Sequence, residues 1–89
     1  MIETEVRIVN RLGLHARAAA RFVHLASSFS CKIIVAKKVS RVNGKSILGL
    51  LTLAAAKGSR LKLIADGENE SEALYKLTQL IRDRFGEDE

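Results

Sequence analysis

Few side chains in this 89-residue sequence can do chemistry, and the first of them is His15, in the segment Gly13-Leu14-His15-Ala16-Arg17. Gly13 interrupts an alternating stretch and a helical pattern begins at Ala16, so His15 falls at or beside a helix N-cap. The first N–H groups of a helix have no internal acceptor. Together with the helix dipole they favour an anion. The same positive end disfavours imidazolium and biases the ring toward its neutral, nucleophilic form. Arg17 adds a cation two residues on. An imidazole so placed can attack a phosphoryl group, hold it as phosphohistidine and release it to an acceptor, with the protein contributing position and charge. A surface histidine that happens to cap a helix fits the same spacing, and a lone His beside an Arg does not separate the two readings.

The second candidate is Ser46, in Asn43-Gly44-Lys45-Ser46-Ile47-Leu48-Gly49-Leu50-Leu51. Gly44-Lys45-Ser46 has the ending of a P-loop, but that loop needs a Gly five residues earlier, where Val39 stands, so nucleotide binding on this motif fails. Two readings stay open. Ser46 is the N-cap of a short helix, or it is also a phosphorylation site. A phosphate there suits the helix N-terminus and places close to two negative charges beside Ile47, Leu48 and Leu51. If those apolar side chains form an exposed docking patch, the modification blocks docking without unfolding the chain.

Arg17, Arg21 and His24 recur at i, i+4 and i+7 on one helix face. Most such stripes are simply solvated; this one adjoins His15 in a region without acids. Residues 6–65 carry 12 Lys and Arg and no Asp or Glu, whereas residues 66–89 carry eight acids. A carboxylate metal site or a paired-carboxylate glycosidase centre therefore has no residues between positions 6 and 65. Two His and one Cys at these spacings make no zinc site. Cys31, the single cysteine, reads as a small buried hydrophobe rather than a nucleophile. With no partner for a disulfide, the expected compartment is a reducing cytoplasm. No apolar run is longer than Leu53 to Ala56, with four residues, so membrane insertion is not expected.

The elements that must position these residues follow from periodicity. Ile2, Thr4, Val6 and Ile8 alternate with charged residues and predict a strand over 2–9. A helix from Ala16 to about Ser28 buries Ala19, Phe22, Val23 and Ala26. Lys32–Lys37 and Ser40–Asn43 predict two strands, with a turn at Asn43-Gly44 and a short helix after Ser46. Arg60–Asp66 alternates as a further strand. Asn69 and Glu72 have capping-box spacing ahead of a helix that buries Ala73, Leu77, Leu80 and Ile81, with Gly86 as its stop. The order βαββαβα predicts an α+β layer, helices on one face of a four-stranded sheet, as one domain over residues 1–89. The acidic end, residues 87–89, is expected to be mobile.

With both motifs and their separation in view, the sequence resembles the HPr family, the histidine-containing phosphocarriers of the bacterial phosphoenolpyruvate-dependent sugar phosphotransferase system. The resemblance rests on Asn10-Arg11-Leu12-Gly13-Leu14-His15-Ala16-Arg17 and on Val42 through Leu50, and it runs from about Ile2 to Gly86. It implies an open-faced sandwich: four antiparallel strands with three helices on one face. It implies that His15 accepts a phosphoryl group on Nδ1 from enzyme I and passes it to enzyme IIA domains, with Arg17 holding the phosphate and no cofactor. It implies that Ser46 is modified by an HPr kinase/phosphorylase, with a transcriptional regulator as a further partner. The docking surface it implies comprises Ala16, Ala20, Arg21, His24, Ile47, Leu48 and Leu51, on a monomer. One position departs from the family motif: Ala18 stands where a Pro normally follows the Arg, which leaves the transport or a regulatory, nitrogen-related branch open.

Two other classes of function compete. A regulatory binding module controlled at Ser46 fits the second motif as well as transport does. A nucleic-acid binder fits the charge alone, but no aromatic lies among basic residues on a strand, as a stacking platform requires, so nucleic acid is not an expected partner. The acid-free stretch reads as a cationic face that steers acidic partners, with the terminal acids lying away from it.

Overall fold

The computed structural model describes all 89 residues. Its elements are β1 (Ile2–Arg7), α1 (Ala16–Ala26), β2 (Lys32–Lys37), β3 (Ser40–Asn43), α2 (Ile47–Thr52), β4 (Arg60–Asp66) and α3 (Glu70–Arg82), followed by a 3-10 turn at Arg84–Gly86. The four strands form one sheet in the order β1-β4-β2-β3, with every neighbouring pair antiparallel. The expected α+β architecture is the one observed.

Alternation decides which face of the sheet is covered. Leu61, Leu63 and Ala65 of β4 and Ile33 and Val35 of β2 point inward, where they meet Ala19, Phe22 and Ala26 of α1, Leu50 of α2 and Ala73, Leu77 and Ile81 of α3 in one buried cluster. Helix α1 adds Ala18 to its expected stripe, and Val23 is only partly buried. Cys31 is a free, buried member of the same cluster, as expected.

Three local expectations are corrected. The first strand stops at Arg7: the Ile8 amide still bonds the carbonyl of Ser59 opposite it at 2.9 Å, but the Ile8 carbonyl accepts from Gly58, one residue out of register, at 2.7 Å. Asn69 occupies the N-cap position of α3 but makes no side-chain cap bond. Its φ of 61° is left-handed rather than the extended conformation a capping side chain needs. Glu70 instead accepts from the Gly67 amide at 3.4 Å and pairs with the Met1 ammonium at 3.0 Å. Gly86 does not end α3 directly, since Arg84 and Phe85 take left-handed φ of 56° and 54° first. That extra turn carries the Phe85 ring into the core, where 1% of it is exposed.

Candidate functional site

The loop before α1 is fixed by backbone contacts that only glycine permits. Gly13 has φ of 71°, and a Cβ there would stand 2.5 Å from the Ala55 carbonyl oxygen. The Leu14 amide donates to that same oxygen at 2.9 Å, docking the loop on the segment after α2. Asn10, fully buried, ties the loop together by donating from Nδ2 to the Gly13 carbonyl at 2.8 Å.

His15 is the N-cap of α1, as expected, with extended backbone and no side-chain cap bond. The first-turn amides of α1 are thus left without a capping side chain. The ring is half-buried, 24% exposed, and Nε2 is hydrogen-bonded to Oε2 of Glu87. The other Glu87 oxygen accepts from Nδ2 of Asn10 at 2.9 Å. Arg17 sits on the same side, with Nη2 3.8 Å from Oε2 of Glu87 and most of its side chain in solvent. The Asn10 hydrogen bond holds the Glu87 carboxyl below the usual carboxylate range, burial opposes this, and His15 and Arg17 add to the lowering.

The acidic C-terminus therefore does not lie away from the cationic face, which corrects the expectation drawn from the charge distribution. Four contacts hold it there. Phe85 is buried, Arg21 Nη1 donates to the Phe85 carbonyl, Glu87 bridges Asn10 and His15, and Glu89 pairs with Arg11 at 3.0 Å. The physical reason is complementarity, since residues 66–89 hold the only acids available to the acid-free segment beyond Glu3 and Glu5. Asn10, Phe85 and Glu87 are the site residues that sequence reasoning missed. Asn10 lay inside the quoted motif and its polarity in an apolar neighbourhood was a signal; Glu87, 72 residues from His15, gave none.

Ser46 is the N-cap of α2, as expected, and its Oγ accepts from the Gly49 amide at 3.0 Å. In the turn before it Asn43 Oδ1 accepts from the Lys45 amide at 2.9 Å and the Ser46 amide donates to the Asn43 carbonyl at 3.1 Å, while the Gly44 amide and the Lys45 ammonium donate to the Ile33 and Phe29 carbonyls at 2.8 and 2.6 Å. Helices α1 and α2 pack side by side. Ala16, Ala20 and His24 are exposed on α1, and Ile47 and Leu48 on α2, with Leu48 at 77%; Leu51 is half-buried. Arg21 is exposed too, but its guanidinium is engaged by the C-terminal turn. No group of three or more His, Cys, Asp or Glu gathers as a metal site. No helix is long and apolar enough to cross a membrane.

Residues 2–83 match the family model described as the PTS HPr component phosphorylation site. The chain belongs to the HPr phosphocarrier family. It is 52% identical over 89 residues to phosphocarrier protein HPr of Neisseria meningitidis serogroup A, covering 100% of both chains. Among solved structures it resembles HPr-C-His from Thermoanaerobacter tengcongensis, with a TM-score of 0.96, 46% identity and 100% of both chains covered. An HPr dimer from the same organism matches with a TM-score of 0.78 at 47% identity, covering 98% of this chain and 100% of that one. The relatives are phosphocarriers by name, and in this chain His15 is a half-buried imidazole at the start of α1.

Proposed function

We propose that the chain accepts a phosphoryl group on Nδ1 of His15 from phosphorylated enzyme I and delivers it to enzyme IIA domains of the sugar phosphotransferase system. The observation that carries this reading is the Glu87 contact. A carboxylate on Nε2 selects the tautomer with the proton on that nitrogen and leaves the Nδ1 lone pair as the nucleophile. Nδ1 attacks phosphorus, an N–P bond forms and the donor's bond to phosphorus breaks. The ring then keeps its Nε2 proton and becomes cationic, and the carboxylate on Nε2 stabilises that charge as the acid of a catalytic triad does. The uncapped amides of α1 offer donors for the phosphoryl oxygens, and the largely exposed Arg17 side chain swings from Glu87 to reach them. Onward transfer reverses the step and returns the neutral imidazole, so the chain ends unchanged and works as a carrier.

Partners dock on the exposed apolar residues of α1 and α2, framed by His24 and the guanidinium of Arg17. Phosphorylation of Ser46 by an HPr kinase/phosphorylase sets a dianion beside Ile47 and Leu48 and obstructs that docking. The chain acts as a monomer in the cytoplasm, and binding of Ser46-phosphorylated chain to a transcriptional regulator is a second output of the same surface. Incubation with enzyme I and phosphoenolpyruvate tests the reading: an acid-labile adduct forms on the wild type and on Ser46→Ala, and not on His15→Ala. An adduct that survives in His15→Ala, or none with an active enzyme I, overturns it.

A further inference from the structure

The uncovered face of the sheet carries a second concentration of charge. The register sets Glu5 opposite Lys62, Lys62 opposite Ala36 and Ala36 opposite Arg41, with Arg7 and Arg60 paired in a neighbouring row. These side chains share the face turned away from the helices, because Val35, Leu61 and Leu63 take the inner one. The Ala36 methyl makes a low floor between two long cations. The result is a groove of about 850 Å³, rimmed by Lys38, Lys57 and Arg60. His15, Arg17 and Ser46 do not line it.

Three features point to a ligand. Lys38, Arg41, Lys57 and Arg60 have no carboxylate within ion-pair distance; Lys62 alone is paired, with Glu3 at 3.5 Å, and Glu5 is the one acid of the lining. Lys38 holds φ of 55° in the tight β2–β3 turn, a position that favours Gly or Asn, so a cation stands at the rim despite its backbone cost. Lys37, in contrast, is turned toward α2, where its ammonium donates to the Leu53 and Ala54 carbonyls at 3.1 and 3.2 Å, and is not part of the cluster's free charge. The lining has no aromatic side chain, so there is no base-stacking surface. The groove is concave, which suits a compact anion better than a flat one.

We propose that this groove binds a free oligophosphate, a ligand of two or more linked phosphate groups. Arg41 and Arg60 offer planar N–H forks to phosphate oxygens, and Lys38, Lys57 and Lys62 supply point charges around them. Recognition by charge and spacing alone selects the number of linked phosphates and ignores what they are attached to. Since the site lies across the sheet from His15, occupancy leaves the phosphoryl-accepting centre free.

The test is titration of the full chain with sodium tripolyphosphate, followed by calorimetry and by amide NMR shifts. The expected shifts fall on Ala36, Lys38, Arg41 and residues 57–62, with the His15 and Arg17 amides still. Orthophosphate binds at least tenfold more weakly. The double variant Arg41→Gln, Lys62→Gln weakens tripolyphosphate at least tenfold while accepting a phosphoryl group on His15 at the wild-type rate. Lys57→Gln, on an exposed loop, weakens it several-fold and serves as the check if the double variant folds poorly. Shifts centred on His15, or orthophosphate binding as tightly as tripolyphosphate, overturn the proposal. Binding to phosphatidylglycerol vesicles without binding of tripolyphosphate overturns it as well, and assigns the charge to a lipid surface instead.

Discussion

Two helix N-termini carry His15 and Ser46, the side chains of the proposed function, and they are built in different ways. The Ser46 cap is local: the hydroxyl caps the Gly49 amide three residues on, and the preceding turn is closed by Asn43 and docked on nearby backbone by Gly44 and Lys45. The His15 end caps nothing. Its ring is held by Glu87, its loop by Asn10 and the Ala55 carbonyl, and the segment bearing Glu87 by the Phe85 ring. A site assembled from its own turn tolerates changes elsewhere in the chain. A site assembled from both ends of the chain is only as ordered as the packing that brings those ends together. The nucleophile we propose, His15, sits in the second kind, where a distant carboxylate can select one ring nitrogen; the hydroxyl we propose as regulatory, Ser46, sits in the first, held by the amide of its own helix.

The largest expected effect comes from separating the two. Phe85→Ala removes the anchor of the C-terminal segment and costs about 3–5 kcal/mol of stability. Denaturant unfolding measures that cost, and NMR at sub-denaturing conditions shows the His15 loop losing order while the Ser46–Gly49 contact is retained. Equal loss at both ends means that they are not independently built. Next in size, Arg17→Ala slows phosphoryl acceptance from enzyme I by roughly 10²-fold, the scale for loss of one charge-stabilising donor. Arg17 is mostly in solvent, so the melting temperature stays unchanged. A rate within twofold of wild type means that the amides of α1 suffice.

A smaller effect is expected at the local site. Ser46→Ala removes one cap and costs about 1 kcal/mol, with no change in transfer to His15. Ser46→Asp keeps the cap, and raises the KM for enzyme I without lowering kcat, because the added charge sits on the docking surface and not on the ring. The smallest effect concerns pH. The Glu87 carboxyl is lowered in the folded chain, so its contribution is complete above the unfolded value of about 4.3 and is lost as pH falls through the folded value. The stability advantage of the wild type over Glu87→Gln is therefore full at pH 7 and disappears in stronger acid. A difference that persists unchanged to pH 2 removes Glu87's charge from the account.

What the sequence displayed tracks the same division. Strands β2, β3 and β4 are legible to the residue because alternation and β-branching are local properties, and Ser46 is legible as a cap because the amide that donates to it lies three positions away. His15 is legible as a helix start for the same reason. The features that escape are long-range or conformational. Glu87 lies outside any periodic pattern, and its partner is chosen by a turn whose two left-handed residues, Arg84 and Phe85, are not types that favour it. Asn69 has the composition of a cap and the wrong backbone to act as one. Charge counting separated an acid-free region from an acidic end correctly, but only the fold shows that one folds back upon the other.

The most direct measurement identifies the ring nitrogen that carries phosphorus. The chain labelled with ¹⁵N in histidine is phosphorylated by enzyme I and phosphoenolpyruvate, and the imidazole resonances are assigned. With Glu87 on Nε2, the expected product is a phosphoryl group on Nδ1 of His15 with a proton retained on Nε2; phosphorus on Nε2, or on His24, contradicts it.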